Sequence, residues 1–162
     1  MAIVNLVATK LSNLSVMDSP QVKAAHGLNM LEWTVEVGAA DSDTSTYHIA
    51  HLPSNCRLSG ASWIGYDDLA SAGAPTIDIG TFNFADGTAN DVDSINDGLT
   101  VATAAVNVPM IKDIANIGKY LWDIGTSPAS DPGGFIDIFL TLDDADVNVG
   151  GTISGSIFYR ME

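Results

Sequence analysis

Hydrophobic and polar residues alternate along much of this chain. The clearest case is residues 30–37, where every second residue from Leu31 to Val37 is hydrophobic and the residues between them are polar or charged. A period of two places one set of side chains on each face of an extended segment. The segment is therefore predicted to be a strand with one buried face, formed by Leu31, Trp33, Val35 and Val37.

Similar strand patterns recur after this segment, and Gly, Pro and Asp mark turns between them. They cover residues 47–52, 56–66, 76–84, 135–142 and 152–161. The intervening segments 39–45, 67–75, 85–98 and 143–151 are predicted to be loops, and residues 99–108 fit either a strand or a helix. The last two strands are predicted to pair as a hairpin.

Residues 111–124 follow a different period. Hydrophobic residues recur there at intervals of three and four: Ile111, Ile114, Ile117, Leu121 and Ile124. This spacing predicts one short amphipathic α-helix, which begins after Pro109 and ends before the Gly- and Pro-containing segment 125–134.

Seven to nine short strands, with turns between them and a single helix, are typical of an antiparallel β-sandwich, and a jelly-roll-like arrangement is favoured. The 162 residues are enough for one core, so residues 1–162 are predicted to form a single domain. Residues 1–27 are either an ordinary first strand or a docking arm followed by a linker.

The chain is strongly acidic, and this excludes two classes of partner. It has 20 acidic and 6 basic residues, a net charge of −14. Nucleic-acid binding and attachment to an anionic membrane both need clustered Lys or Arg, so neither is expected. The sequence shows no signal-peptide pattern and no apolar run long enough for a transmembrane helix. The single cysteine, Cys56, is compatible with assembly in a reducing cytoplasm.

One acidic turn is a candidate for calcium. Asp144, Asp146 and Asn148 supply oxygen atoms at alternate positions. An EF-hand loop would also need Gly and Glu where this chain has Val149 and Gly155. The alternative interpretation is a solvated acidic turn, and no other cofactor is expected.

No catalytic constellation is evident. The chain has no Gly-x-Ser-x-Gly elbow and no Gly-rich loop leading into a helix with a lysine, so an enzyme is not predicted. His48 and His51 are three residues apart and would point to opposite faces of the predicted strand. They are therefore interpreted as ordinary strand histidines that do not share a metal ion.

Several apolar residues are candidates for a subunit interface. Trp33 and Trp63 fall on predicted strands and belong either to the core or to an interface. Ile3, Leu6 and Leu11 in the N-terminal segment would be buried against this chain or against a neighbour. Exposed Trp or Tyr side chains would instead favour a carbohydrate-binding surface.

Three segments resemble small virion proteins of tailed bacteriophages. They are residues 47–80, which begin Tyr-His-Ile-Ala-His-Leu-Pro, residues 112–123, Lys-Asp-Ile-Ala-Asn-Ile-Gly-Lys-Tyr-Leu-Trp-Asp, and residues 144–156, Asp-Ala-Asp-Val-Asn-Val-Gly-Gly-Thr-Ile-Ser-Gly-Ser. The resemblance extends over about residues 47–159 and is to proteins encoded near the major capsid protein.

This resemblance implies a non-enzymatic capsid decoration (cement) protein, a class that is often trimeric and jelly-roll-like. Its implied partners are further copies of itself, in a homotrimer, and the major capsid protein. It would be assembled in the host cytoplasm and lie on the capsid surface, where an acidic chain avoids repulsion by packaged DNA. The alternative is a carbohydrate- or receptor-binding jelly-roll module on a phage tail or spike.

Overall fold

Two β-sheets packed face to face make up the fold, which was obtained as a computed structural model. It describes residues 5–7, 27–84, 86–125 and 129–161, with the backbone alone for residues 5–7. The strands are β1 (Asn5–Val7), β2 (Leu28–Val37), β3 (Thr46–Pro53), β4 (Arg57–Leu58), β5 (Trp63–Tyr66), β6 (Thr76–Asn83), β7 (Ala89–Thr100), β8 (Ala105–Pro109), β9 (Phe135–Asp143) and β10 (Gly151–Arg160). The first sheet has the order β1-β3-β9-β6-β7, and the second has the order β2-β10-β5-β8, with β4 also paired to β10.

The core lies between the sheets and follows directly from the alternating pattern. In β9 the buried hydrophobic residues are Ile136, Ile138, Leu140 and Leu142, and β2 contributes Trp33, Val35 and Val37. Each fully buried side chain of this size stabilises the fold by about 1.5–3 kcal/mol. The predicted β-sandwich and the inward face of residues 30–37 are confirmed.

The predicted hairpin of the last two strands is wrong. Strand β9 lies between β3 and β6 in the first sheet, whereas β10 lies between β2 and β5 in the second. The connection between β9 and β10 crosses the end of the sandwich. Val147 in this connection is buried, and its N–H donates to the carbonyl of Asp41 at 3.0 Å. A buried anchor of this kind favours a crossing connection over a tight turn.

The predicted α-helix at residues 111–124 is also wrong. The segment contains two single 3₁₀ turns, Ile114–Asn116 and Leu121–Asp123. Its backbone N–H groups donate to the segment around β4, from Gly118 to Leu58 (3.1 Å) and from Leu121 to Cys56 (2.8 Å). These bonds replace the bonds within a helix. Only part of this segment covers the end of the core, so its regular hydrophobic spacing does not correspond to one buried face of a helix.

Two further boundaries differ from the prediction. The polar segment 85–98 was predicted to be a loop, but most of it belongs to β7. An edge strand needs few buried residues, and within this range only Ile95 and Asn96 are buried among those described. The single strand predicted at residues 56–66 is divided into β4 and β5 by a turn in which Ser62 N–H donates to the carbonyl of Ser59 at 3.0 Å.

The N-terminal strand β1 adds to the edge of the first sheet. It pairs with β3 in parallel, and Leu6 is opposite Tyr47. The other two N-terminal interface candidates, Ile3 and Leu11, lie outside the described residues. The parallel pairing extends the sheet at its β3 edge.

Candidate functional site

Ring side chains gather on the outer face of the first sheet. The group contains four of the five phenylalanines and two of the three histidines of the chain, arranged around one carboxylate. We call it the aromatic–histidine surface, and its members are His48, His51, Phe82, Phe84, Phe135, Asp137 and Phe139.

Strand register brings these residues together. His48 is opposite Phe139, and His51 is opposite Asp137. The register between β3 and β9 shifts between His48 and Ala50, so that Ile49 is an extra residue in a β-bulge. The bulge places both histidines on the same face. The prediction that they point to opposite faces is therefore wrong, because it assumed an unbroken strand.

Both imidazoles contact the same carboxylate oxygen. His51 Nδ1 lies 2.6 Å from Asp137 Oδ1, and His48 Nε2 lies 3.1 Å from it. His48 Nε2 is also 2.8 Å from the carbonyl oxygen of Ala50. A carboxylate and a carbonyl can only accept, so both of these histidine nitrogens carry a hydrogen and donate it. The Asp137 side chain is 10% exposed.

Asp137 stays ionised despite its burial. Burial alone would raise the pKa of Asp137, but the hydrogen bonds from His48 and His51, with the charges of their rings, outweigh it. The pKa of Asp137 is therefore held below its ordinary value. The carboxylate of Asp137 is therefore ionised at neutral pH and is paired with both imidazoles.

The rings contact one another in two groups. His48 stacks on Phe139 with 4.6 Å between centroids, and Phe82 lies against Phe139 at 4.5 Å. His51 stacks on Phe135 at 4.4 Å, and Phe84 tilts against His51 at 4.5 Å. Phe84 is 58% exposed and Phe135 is 37% exposed. The second group is therefore open to a binding partner.

The charges around this surface are acidic. The four basic residues within the described ranges are all outside the first sheet: Arg57 on β4, Arg160 on β10, and Lys112 and Lys119 between β8 and β9. The outer face of the first sheet also contains Asp78, whose Oδ1 accepts a 2.8 Å hydrogen bond from Gly98 N–H. Burial is the main cause that raises the pKa of Asp78.

The two candidate tryptophans lie in different environments. Trp33 is 1% exposed and packs in the core, so its burial within the chain leaves no surface for a partner. Of the two interpretations of Trp33, the structure therefore supports a core residue and does not support an interface residue. Trp63 is half-buried on β5 and lies on the outer face of the second sheet, so it remains an interface candidate.

The side chains of the candidate calcium turn are directed to three separate segments. Each accepts a hydrogen bond: Asp144 from Thr76 Oγ1 (2.9 Å), Asp146 from the N–H of Asp43 (2.8 Å), and Asn148 from the N–H of Ser71 (2.7 Å). The structure thus uses these oxygens to attach neighbouring loops to the turn. The solvated acidic turn and the alternative of a calcium site at Asp144, Asp146 and Asn148 both stay predictions.

Neither a metal-ligand cluster nor a membrane-spanning helix occurs in the described parts of the chain. No group of three or more His, Cys, Asp or Glu side chains there is placed to hold a metal ion. None of the helices in those parts has the length and apolar character needed to cross a membrane.

Six other large hydrophobic side chains of the described residues are exposed, and they lie on β2, β7 and β8 and in the segment between β8 and β9. Leu28 and Met30 on β2 are 57% and 55% exposed, Val106 on β8 is 80% exposed, and Ile114 is 81% exposed. None of these four is among the ring contacts of the aromatic–histidine surface.

Comparison with known proteins identifies the fold. No protein-family model matches the sequence, and no curated protein matches it significantly. A chain in the capsid of Ralstonia phage GP4 has a TM-score of 0.60 and 16% identity, over 86% of this chain and 87% of that one. A chain in the capsid asymmetric unit of cyanophage Pam1 has a TM-score of 0.53 and 14% identity, over 91% of this chain and 99% of that one. At these identities the likeness shows a shared fold.

Proposed function

We propose that this chain is a structural protein of a tailed-phage virion, which decorates the outside of the capsid and stabilises it as a cement protein. The observation that carries the proposal is the fold, which is shared over 86% and 91% of this chain with chains from two phage capsids. The resemblance of residues 47–80, 112–123 and 144–156 to phage virion proteins supports the same assignment.

The extent of the match favours an accessory capsid protein. The shared fold covers 87% and 99% of the two neighbouring chains, so each of them is close to this chain in length. The likeness is therefore to small, nearly whole chains. The order β2-β10-β5-β8 over β3-β9-β6-β7 also supports a jelly roll, in which most successive strands lie in opposite sheets.

The charge favours a position on the capsid exterior. A net charge of −14 would be repelled by packaged DNA on the inside of the shell. The proposed mechanism is passive. Each copy buries surface across a junction between shell subunits, and symmetry multiplies these contacts into a strong total attachment. Rupture of the shell then requires many contacts to break together.

Binding to capsids that lack this chain tests the proposal. Purified protein is mixed with expanded capsids prepared without it, and bound protein is measured by co-sedimentation. We expect saturable binding and a higher temperature of capsid rupture. Failure of the folded protein to bind such capsids would overturn the proposal.

The proposal includes a homotrimer, which is tested by light scattering at several protein concentrations. We expect a stable species near three times the chain mass of 16.9 kDa. A monomer at every concentration would contradict the trimer but would leave a monomeric decoration protein in place.

A carbohydrate-binding module is the second candidate function. The rings of Tyr120 and Trp122 lie nearly parallel, with an angle of 14° and 6.1 Å between centroids, and both are half-buried. One face of Tyr120 is already covered by the guanidinium of Arg57, 3.7 Å from the ring centroid. A glycan array with and without a chelator tests this function, and specific binding in an array would favour it over capsid decoration.

A further inference from the structure

We infer that the aromatic–histidine surface is where this protein docks on the capsid shell, and that the shell protein presents an arginine or lysine side chain beside aliphatic ones there. This inference rests on the proposed function, because it names the shell protein as the partner. It goes further by identifying the contact surface and the chemistry of its occupant.

The first argument is the placement of the phenylalanines. Four of the five lie on one outer sheet face, and Phe84 and Phe135 are 58% and 37% exposed. Aromatic side chains gain most from a partner because they bury a large area with few rotatable bonds. The other exposed large hydrophobic residues are aliphatic or Met side chains, namely Leu28, Met30, Val92, Val106, Ile114 and Ile117. The aromatic–histidine surface is thus the described place best suited to a stable contact.

The second argument is that the open rings are held in place before any partner arrives. The 2.6 Å contact with Asp137 fixes the imidazole of His51. That imidazole in turn contacts Phe135 and Phe84, whose centroids are 6.5 Å apart. Rings that are already ordered lose little conformational freedom on binding. This rigidity favours recognition of one side chain among the three rings.

The third argument is electrostatic and determines the occupant. The faces of the exposed Phe84 and Phe135 rings attract cations, the same sheet face carries the carboxyl groups of Asp137 and Asp78, and the four described basic residues of the chain lie outside this sheet. An arginine or lysine from a partner is therefore attracted. A second copy of this chain would offer this acidic face few cations, since only four of its described residues are Lys or Arg. The complementary partner is a basic segment of another protein.

A matched pair of double variants tests the inference. Phe84→Ala/Phe135→Ala removes the open rings, and Val106→Ala/Ile114→Ala removes two even more exposed hydrophobic side chains from a different region. Each variant is titrated against expanded capsids that lack this chain, after circular dichroism confirms that it is folded. We expect binding to fall at least about tenfold for the ring variant and less than about twofold for the control.

The possible outcomes separate this inference from the proposed function. If wild type and both variants bind equally well, the docking surface is wrong and the proposed function stands. If wild type itself does not bind, both are overturned. If light scattering shows that the ring variant dissociates an oligomer of this chain, the occupant is a second copy and the inference is overturned.

Two measurements on the wild-type protein apply even if the ring variant does not fold. Hydrogen exchange on capsid binding should show protection at the end of β6 and along β9, whereas protection confined to β8 would overturn the inference. Added salt should weaken binding because it screens the attraction to a basic segment. Binding that is unchanged by salt would overturn the basic character of the partner.

Discussion

His51 donates a 2.6 Å hydrogen bond to Asp137 from the neighbouring strand, at a position that a regular strand would turn away from His48. The bulge at Ile49 makes this contact and the 3.1 Å contact of His48 compatible. One carboxylate oxygen thereby joins β3 to β9 through two side chains, in addition to the backbone ladder. The β-bulge at Ile49 thus helps to form the only surface in the described ranges where histidines and phenylalanines stack.

Asp137 should make stability depend on pH in the acid range. Its pKa is lower in the folded state than the value of about 3.9 expected after unfolding. Its contribution is therefore fully present above about pH 4 and is lost as the pH falls through the folded-state pKa. Urea unfolding between about pH 7 and pH 3 should show a smaller acid-dependent loss for Asp137→Asn than for wild type.

The same variant should be less stable at neutral pH by about 1–3 kcal/mol, because it weakens two hydrogen bonds to a buried charge. Asp97→Asn is a suitable control, since it removes the same charge from an exposed position on β7. Equal losses of stability at neutral pH in the two variants would contradict the structural role of Asp137.

Gly155→Ala should be strongly destabilising. A Cβ at this position would lie 2.6 Å from an indole carbon of Trp33 and 2.6 Å from the carbonyl oxygen of Trp63. Crowding of this kind costs about 1–3 kcal/mol or more, because core tryptophan and sheet backbone must both shift. Denaturant unfolding measures the loss. Gly27→Ala has no atom within 4 Å of the new Cβ and should change stability little, so a similar effect in both would refute this packing.

Cys56 should be unreactive in the folded protein. Burial raises the pKa of the Cys56 thiol to about 12, so almost no thiolate is present near neutral pH. A chromogenic disulfide reagent should therefore label it slowly in buffer and rapidly in denaturant. Fast labelling in buffer, at the rate seen for the unfolded chain, would show that the segment before β4 opens readily.

Calcium should not change the stability measurably. The candidate oxygens of Asp144, Asp146 and Asn148 already accept hydrogen bonds from separate segments. A site with calcium added at a hundred times its dissociation constant would add about 2.7 kcal/mol to the free energy of unfolding. Thermal unfolding with calcium and with a chelator distinguishes these cases. A clear rise that Asp144→Asn abolishes would instead establish a calcium site.

Much of the sandwich could be predicted because burial on one face leaves a direct period of two in the sequence. The residues of β9 show this well, since Ile136, Ile138, Leu140 and Leu142 occupy alternate positions and are all buried in the core. The pairing of β9 could not be predicted in the same way. Both sheets offer the same hydrophobic inner surface, so nothing in the alternation specifies which strands become neighbours.

The failures have specific physical causes. Residues 111–124 have helical spacing, but Ile114 is 81% exposed, and the backbone of this segment bonds to the region of β4. The aromatic–histidine surface was missed because a bulge of one residue reverses the direction of every side chain after it. Phe82 and Phe84 are two residues apart and Phe135 and Phe139 are four apart, so each pair is expected on one face of its strand. Placing both pairs on the same sheet face required the pairing of β6 with β9.

The acidic edge strand β7 has a consequence for crowding. On a particle, many copies of a chain would be held side by side at very high local concentration. Exposed edge strands of neighbouring copies can then pair with each other and cause aggregation. One of the two edge strands of the first sheet is β7, which carries Asp91, Asp93 and Asp97. Like charges on the β7 edges of neighbouring copies repel each other. This repulsion would disfavour strand pairing between copies and leave each copy free to bind its own attachment site.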